Sequence, residues 1–136
     1  MPIALQVGMT TILIVDDEPN IVQLVRITLE DSRVRILEAA DGATALDRAL
    51  ELRPDLILLD VDLPDLCGLE VCRRLKDDEA LTKTKIVMLT AAAQADDVAR
   101  GLAAGADQYL TKPFSPVRLL SLVEHLMPRT VRWQPE

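Results

Sequence analysis

Six side chains in this 136-residue chain are of types that could do chemistry together: Asp16 and Asp17 in ILIVDDEP, Asp60 and Asp62 in LLDVDLPDLCG, Thr90 in VMLTA, and Lys112 in YLTKPF. Each group stands where a short apolar run gives way to polar sequence. Carboxylates brought within ~4 Å of one another repel by about 4 kcal/mol per pair at an effective dielectric near 20, so something positive has to offset them. Hard oxygen donors on an open edge suit Mg²⁺ or Mn²⁺, which keep waters and readily add a phosphate oxygen, better than zinc. Lys112 offers a point charge and Thr90 a hydroxyl donor. With a dication they would clamp a transferring phosphoryl group, whose equatorial oxygens need electrostatic support on several sides. A central carboxylate could then attack phosphorus and form an acyl phosphate, and Asp60, at the end of the most apolar run, is best placed to do so.

These groups can meet only if the elements carrying them are neighbours. Five short apolar bursts, TILIVD, VRILEA, DLILLD, KIVMLT and DQYLT, alternate with stretches of helical period. Ile21, Leu24, Val25, Thr28 and Leu29 form one helical stripe. Punctuation agrees: Pro19 suits a first helical turn, Asp41 precedes a helix from Gly42, Gly105 suits a left-handed cap closing ADDVARGLAAGA, and Ser115 with Pro116 suits the start of a last helix with Leu119, Leu120, Val123 and Met127 on one side. Alternating strands and helices imply right-handed crossovers and a parallel sheet covered on both faces, a doubly wound (βα)5 three-layer sandwich. In such a sheet ligands bind beyond the carboxyl ends of the strands, which is where the acids fall.

Composition narrows the function further. The chain suits one domain: residues 10–127 are expected to form it, with an extension at 1–9 and a tail at 128–136. A net charge of −7 argues against direct nucleic-acid binding, which draws its affinity from clustered Lys and Arg. Cys67 and Cys72 have neither zinc nor thioredoxin spacing and are expected to be inert thiols in a reducing compartment. No apolar run reaches the ~18 residues of a membrane span, and MPIALQVGMTT lacks the build of a secretory signal, so a cytoplasmic protein away from membranes is expected.

The four motifs ILIVDDEP, LLDVDLPDLCG, VMLTA and YLTKPF, in that order and at helix-length intervals from about Thr10 to Met127, resemble the receiver domain of two-component response regulators. The resemblance implies a five-stranded parallel sheet of order 2-1-3-4-5. It makes Asp60 the acceptor of phosphate from a histidine kinase or histidine phosphotransfer protein. Asp17 and Asp60 would ligate Mg²⁺ by side chain, Asp62 by its backbone carbonyl and Asp16 through water. Thr90 would turn toward the phosphate, Tyr109 would swing inward with it, and Lys112, ahead of a cis proline, would pair with it. Asp62 and Ala92 occupy positions that tune phosphate lifetime, and Leu63 stands where the family usually has Met. A downstream protein would dock on the surface of the fourth helix, fifth strand and fifth helix, and the resemblance admits a homodimer formed on phosphorylation. Such a protein is no enzyme beyond its own phosphorylation and dephosphorylation.

Blander readings compete for single residues. Asp16 or Asp17 alone could cap a helix, Lys112 alone could be solvated, Tyr109 could be a half-buried edge residue, and His125 reads as surface. Asp96, Asp97 and the run at 77–80 read as solvated faces or helix starts, and Trp133 as part of a loose tail or, alternatively, as a residue that docks on a partner or neighbouring subunit. LLDVD also resembles the nucleophile motif of haloacid-dehalogenase-type phosphohydrolases, but there the motif opens the chain, whereas here two strand-helix units precede it. A stand-alone receiver is the leading expectation, and a receiver belonging to a longer transcription regulator is the second.

Overall fold

The structure, a computed structural model, describes residues 9–91, 99 and 104–127. Strand β1 (Thr10–Val15) leads to helix α1 (Pro19–Leu29), β2 (Val34–Ala39), α2 (Gly42–Leu52), β3 (Leu56–Asp60), α3 (Gly68–Asp77), a 3-10 turn (Glu79–Leu81), β4 (Lys85–Ala91), β5 (Gln108–Lys112) and α4 (Pro116–Leu126). All pairings between neighbouring strands are parallel, in the order β2-β1-β3-β4-β5. The helix expected in ADDVARGLAAGA falls largely outside the described residues, so α4 here is the fifth helix of the sequence reading.

Local signals explain the boundaries. Pro19 opens α1, where its missing N–H costs nothing. Asp41 caps α2 by accepting from the Thr44 N–H, and Ser115 caps α4 by accepting from the Arg118 N–H, with Pro116 in the first turn. Gly105 takes φ +102°, a left-handed conformation that a side chain would strain. Two carboxylates of the 77–80 run have partners: Asp78 caps the 3-10 turn through the Ala80 N–H, and Asp77 pairs with Arg73 at 3.9 Å.

The sheet separates two apolar layers. Ile12, Ile14, Leu56, Leu58, Val87, Leu89 and Leu110 face α1 and α4, meeting Val25, Leu29, Leu119 and Val123. Leu13, Val15, Ile57, Leu59, Ile86 and Met88 face α2 and α3, meeting Ala45, Ala49, Val71 and Leu75. Every residue of β3 is buried, as expected of a central parallel strand with no water-facing side. Large side chains from several strands interlock in both layers, so the carboxyl ends of the strands form a rigid platform.

Candidate functional site

Register and pleat decide which side chains meet at that platform. Val15 pairs with Leu59 and Ala91 with Lys112, while Asp60 pairs with Leu89. Side chains alternate between the two faces. Asp16 therefore continues the face of Ile12 and Ile14, Asp60 that of Leu56 and Leu58, and Lys112 that of Leu110, all three on the side of α1 and α4. Strand β5 runs one residue beyond the expected Thr111, because Lys112 still pairs with Ala91.

The groups converge closely. Lys112 Nζ lies 2.8 Å from Asp16 Oδ2, 2.9 Å from Glu18 Oε1 and 3.4 Å from Asp60 Oδ2. One oxygen from each of Asp16, Asp17 and Asp60 lies within 4.8 Å of the others. Asp16 and Asp60 are buried while Asp17 is exposed, so the cluster opens to solvent on one side. Asp16 Oδ1 accepts from the Glu18 N–H at 2.9 Å, and Asp60 Oδ1 accepts from the Asp62 N–H at 3.2 Å. Asp62 itself is exposed. The N-cap position of α1 is Glu18, whose own side chain makes no capping bond.

Charge crowding sets the protonation of the site. Burial, then the neighbouring Asp16 charge, push the Asp60 carboxyl up to about 6, against the opposing pull of Lys112 and the Asp62 N–H. Burial disfavours the Lys112 ammonium, but hydrogen bonds to Asp16 and Glu18 and the charges of Asp16 and Asp60 outweigh it and hold its pKa above the usual lysine value.

The donor set fits a hard dication. Asp16 Oδ2 is fully buried and is balanced by the Lys112 ammonium 2.8 Å away. Oxygens opposite one another across a magnesium ion stand about 4 Å apart at bond lengths of about 2.1 Å. Oxygens that all lie within 4.8 Å of one another could share such an ion.

The remaining sequence-selected residues lie around this cluster. Thr90 is buried at the end of β4, its hydroxyl 3.4 Å from the Ala91 carbonyl. Tyr109 is 41 % exposed on the edge strand β5. The Lys112–Pro113 peptide is cis, as the resemblance implied. His125 is exposed on α4, and both cysteines are free thiols. Cys72 is buried, and burial pushes its thiol up to about 11, which suits an inert side chain. Ala92, Asp96, Asp97 and Trp133 lie outside the described residues.

Three residues escaped the sequence reading. Glu18 shares Lys112 with Asp16, and its position next to the acidic pair was the available signal. Asp65 bonds to the start of α2, a contact across 22 to 23 residues that no local pattern announces. Gly68 approaches the chain so closely that a Cβ there would lie 2.1 Å from the Asp60 carbonyl oxygen.

Comparison with known proteins agrees with this geometry. The response regulator receiver domain family matches residues 12–124. The chain is 44% identical over 124 residues to the DNA-binding dual master transcriptional regulator RpaA of Synechocystis sp., covering 91% of this chain and 52% of that protein. It is 44% identical over 120 residues to the phosphate regulon transcriptional regulatory protein PhoB of Pseudomonas aeruginosa, covering 88% of this chain and 52% of that protein. The chain thus spans about half the length of these curated relatives. Among solved structures, the chemotaxis response regulator CheY4 of Vibrio cholerae superposes with a TM-score of 0.81 at 35% identity, covering 88% of this chain and 99% of that one. The dehalogenase-type alternative gives way to these matches. With a 2-1-3-4-5 sheet, an acidic cluster at its carboxyl edge and a family match over most of its length, the chain belongs to the receiver domains of two-component response regulators.

Proposed function

We propose that Asp60 accepts a phosphoryl group and that Asp16, Asp17, Asp60 and the Asp62 carbonyl hold a divalent cation, Mg²⁺ or Mn²⁺, while it does so. Receiver domains interact with histidine kinases and bind Mg²⁺ at an acidic site, and the observation that carries the reading is the convergence of Lys112, Asp16, Asp17 and Asp60 on one volume. A bound cation supplies positive charge that offsets repulsion between the carboxylates and the incoming phosphoryl oxygens.

The chain's own groups do the rest. An Asp60 oxygen attacks phosphorus, the P–N bond of a kinase or phosphotransfer histidine breaks, and the imidazole leaves with the bonding pair and takes up a proton. Asp60 must be ionised to attack, and Lys112 favours that form. The aspartyl phosphate adds roughly −1.5 to −2 charges and strong acceptors. Lys112 then exchanges carboxylate contacts for phosphoryl oxygen, the Thr90 hydroxyl donates to it, and Tyr109 turns inward. This shifts an equilibrium between existing states, and driving it from one extreme to the other takes about 5.5 kcal/mol of differential interaction.

We further propose that residues 10–127 form the receiver unit and that the output is docking of a downstream protein, in the cytoplasm, on the face of the fourth expected helix, β5 and α4. Among the described residues no helix is long and apolar enough to cross a membrane. A second reading, the receiver of a longer transcription regulator, is favoured by the twofold length of the curated relatives, one of which is named as DNA-binding. The length of the transcript that encodes Glu136 separates the two.

Acetyl phosphate with Mg²⁺ is expected to add one phosphate by intact mass, and Asp60→Asn to abolish it. Continued labelling of Asp60→Asn would overturn the assignment.

A further inference from the structure

We propose that Asp65 is the positioning residue of the β3–α3 loop: its carboxylate pins the loop to the first turn of α2 and so fixes the peptide of Asp62 beside the acidic cluster. The inference rests on the reading of Asp60 and Asp62 given above.

The loop between Asp60 and Gly68 is closed on itself. An antiparallel bridge joins Asp62 to Cys67, and the Gly68 N–H donates to the Val61 carbonyl at 2.8 Å. Such a closed loop can still tilt as a body about its two ends. Asp65 supplies the outside anchor: Oδ1 accepts from the Gly42 N–H at 2.7 Å and Oδ2 from the Ala43 N–H at 2.9 Å. Oδ1 also accepts from the Leu66 N–H at 2.8 Å, which fixes the carboxylate against its own backbone.

The pin is not the cap that α2 requires. Asp41 already performs that task through the Thr44 N–H, and α3, the helix following Asp65, has no side-chain cap. Asp65 instead takes the two N–H groups at the helix start that Asp41 leaves over. The partial positive charge of that terminus favours the ionised carboxylate, and the bonds from Gly42 and Ala43 hold its carboxyl below the usual range.

Packing makes the contact specific. A Cβ on Gly42 would lie 2.9 Å from the Leu66 Cβ and 3.0 Å from Val71 Cγ2, so only glycine lets the loop seat against α2. Between the loop and Asp17 lies a surface hollow of about 420 Å³, lined by Asp62, Asp65 and Cys67 among others. The loop therefore forms one wall of the opening next to the acidic cluster, and its tilt governs where the Asp62 carbonyl stands.

The test is a Mg²⁺ titration of the full chain by calorimetry, with amide hydrogen exchange over residues 61–67. Groups that orient a ligand typically change metal affinity by about 10-fold or more when removed. Asp65→Ala is expected to weaken Mg²⁺ binding about tenfold and to speed exchange in the loop. Asp65→Asn keeps one of the two acceptor oxygens and sets an NH₂ against the remaining N–H, so it is expected to lie between wild type and Asp65→Ala. Asp41→Ala, which weakens α2 without touching the loop, is the control for a merely structural effect and is expected to leave Mg²⁺ affinity unchanged. Unchanged affinity in Asp65→Ala, or an equal loss in Asp41→Ala, overturns the positioning role alone. A wild-type chain that takes up no Mg²⁺ overturns the reading of the site itself, and the positioning role with it.

Discussion

Lys112 Nζ stands 2.8 Å from Asp16 Oδ2 but 3.4 Å from Asp60 Oδ2, so the lysine of β5 is held chiefly by a carboxylate three strand positions away in the sheet. Glu18 takes a further share of it at 2.9 Å. The ammonium thus neutralises the whole rim and leaves Asp60 the least engaged of its three partners. An acceptor carboxylate needs that partial freedom.

Replacement of Lys112 separates its two roles. Lys112→Ala is expected to cost the metal-free chain about 2 kcal/mol in urea unfolding at pH 7.5, since buried carboxylates lose their counter-charge. Protonation of Asp60 limits the loss. Loss of a cation near the cluster is expected to tighten Mg²⁺ binding roughly threefold by calorimetry. Weaker binding would show that Lys112 positions the carboxylates rather than competing with the metal.

Asp60 should destabilise the metal-free fold near neutral pH. Its folded pKa, about 6, lies above the unfolded value of about 3.9. The folded state consequently binds the proton more tightly. That contribution is complete below about pH 4 and is lost as pH rises through 6. Two units correspond to roughly 3 kcal/mol at most. In EDTA at pH 7.5, Asp60→Asn is expected to be more stable than wild type by about 1–2 kcal/mol, with the gap closing by pH 4. Urea midpoints at several pH values measure this, and a gap that widens on acidification would reverse the assigned direction.

Gly68 is fixed by a backbone approach rather than by a turn. A methyl group there would meet the Asp60 carbonyl oxygen at 2.1 Å, and the obstacle is main chain, which cannot rotate aside. Gly68→Ala is expected to lower stability by about 2 kcal/mol or more. Because β3 must shift to admit it, the same variant should also lose phosphate uptake by intact mass. A stable Gly68→Ala that labels normally would mean that the loop yields easily.

Thr28 offers a stabilising change far from the site. On α1 its hydroxyl oxygen is buried and has no hydrogen-bond partner among the described residues. Thr28→Val removes that group with little change of shape and is expected to raise stability by about 1 kcal/mol in thermal or urea unfolding. Phosphate labelling should stay the same.

Much of this was legible along the chain. The apolar bursts marked the five strands because a buried strand has to be apolar over a short run, and Asp41, Ser115 and Pro19 marked helix starts because capping is local chemistry. The six reactive residues could be chosen because each ends an apolar run. Their convergence on one face was decided by register: Asp16, Asp60 and Lys112 meet only because parallel pairing brings their strand ends level and the pleat turns all three the same way. Glu18 as a second holder of Lys112, Asp65 as the anchor of the loop and Gly68 under the Asp60 carbonyl were decided by tertiary structure, with only Glu18's place beside the acidic pair as a hint in the sequence. Each acts on a group distant in sequence or on backbone, and neither kind of partner leaves a periodic trace in the amino-acid order.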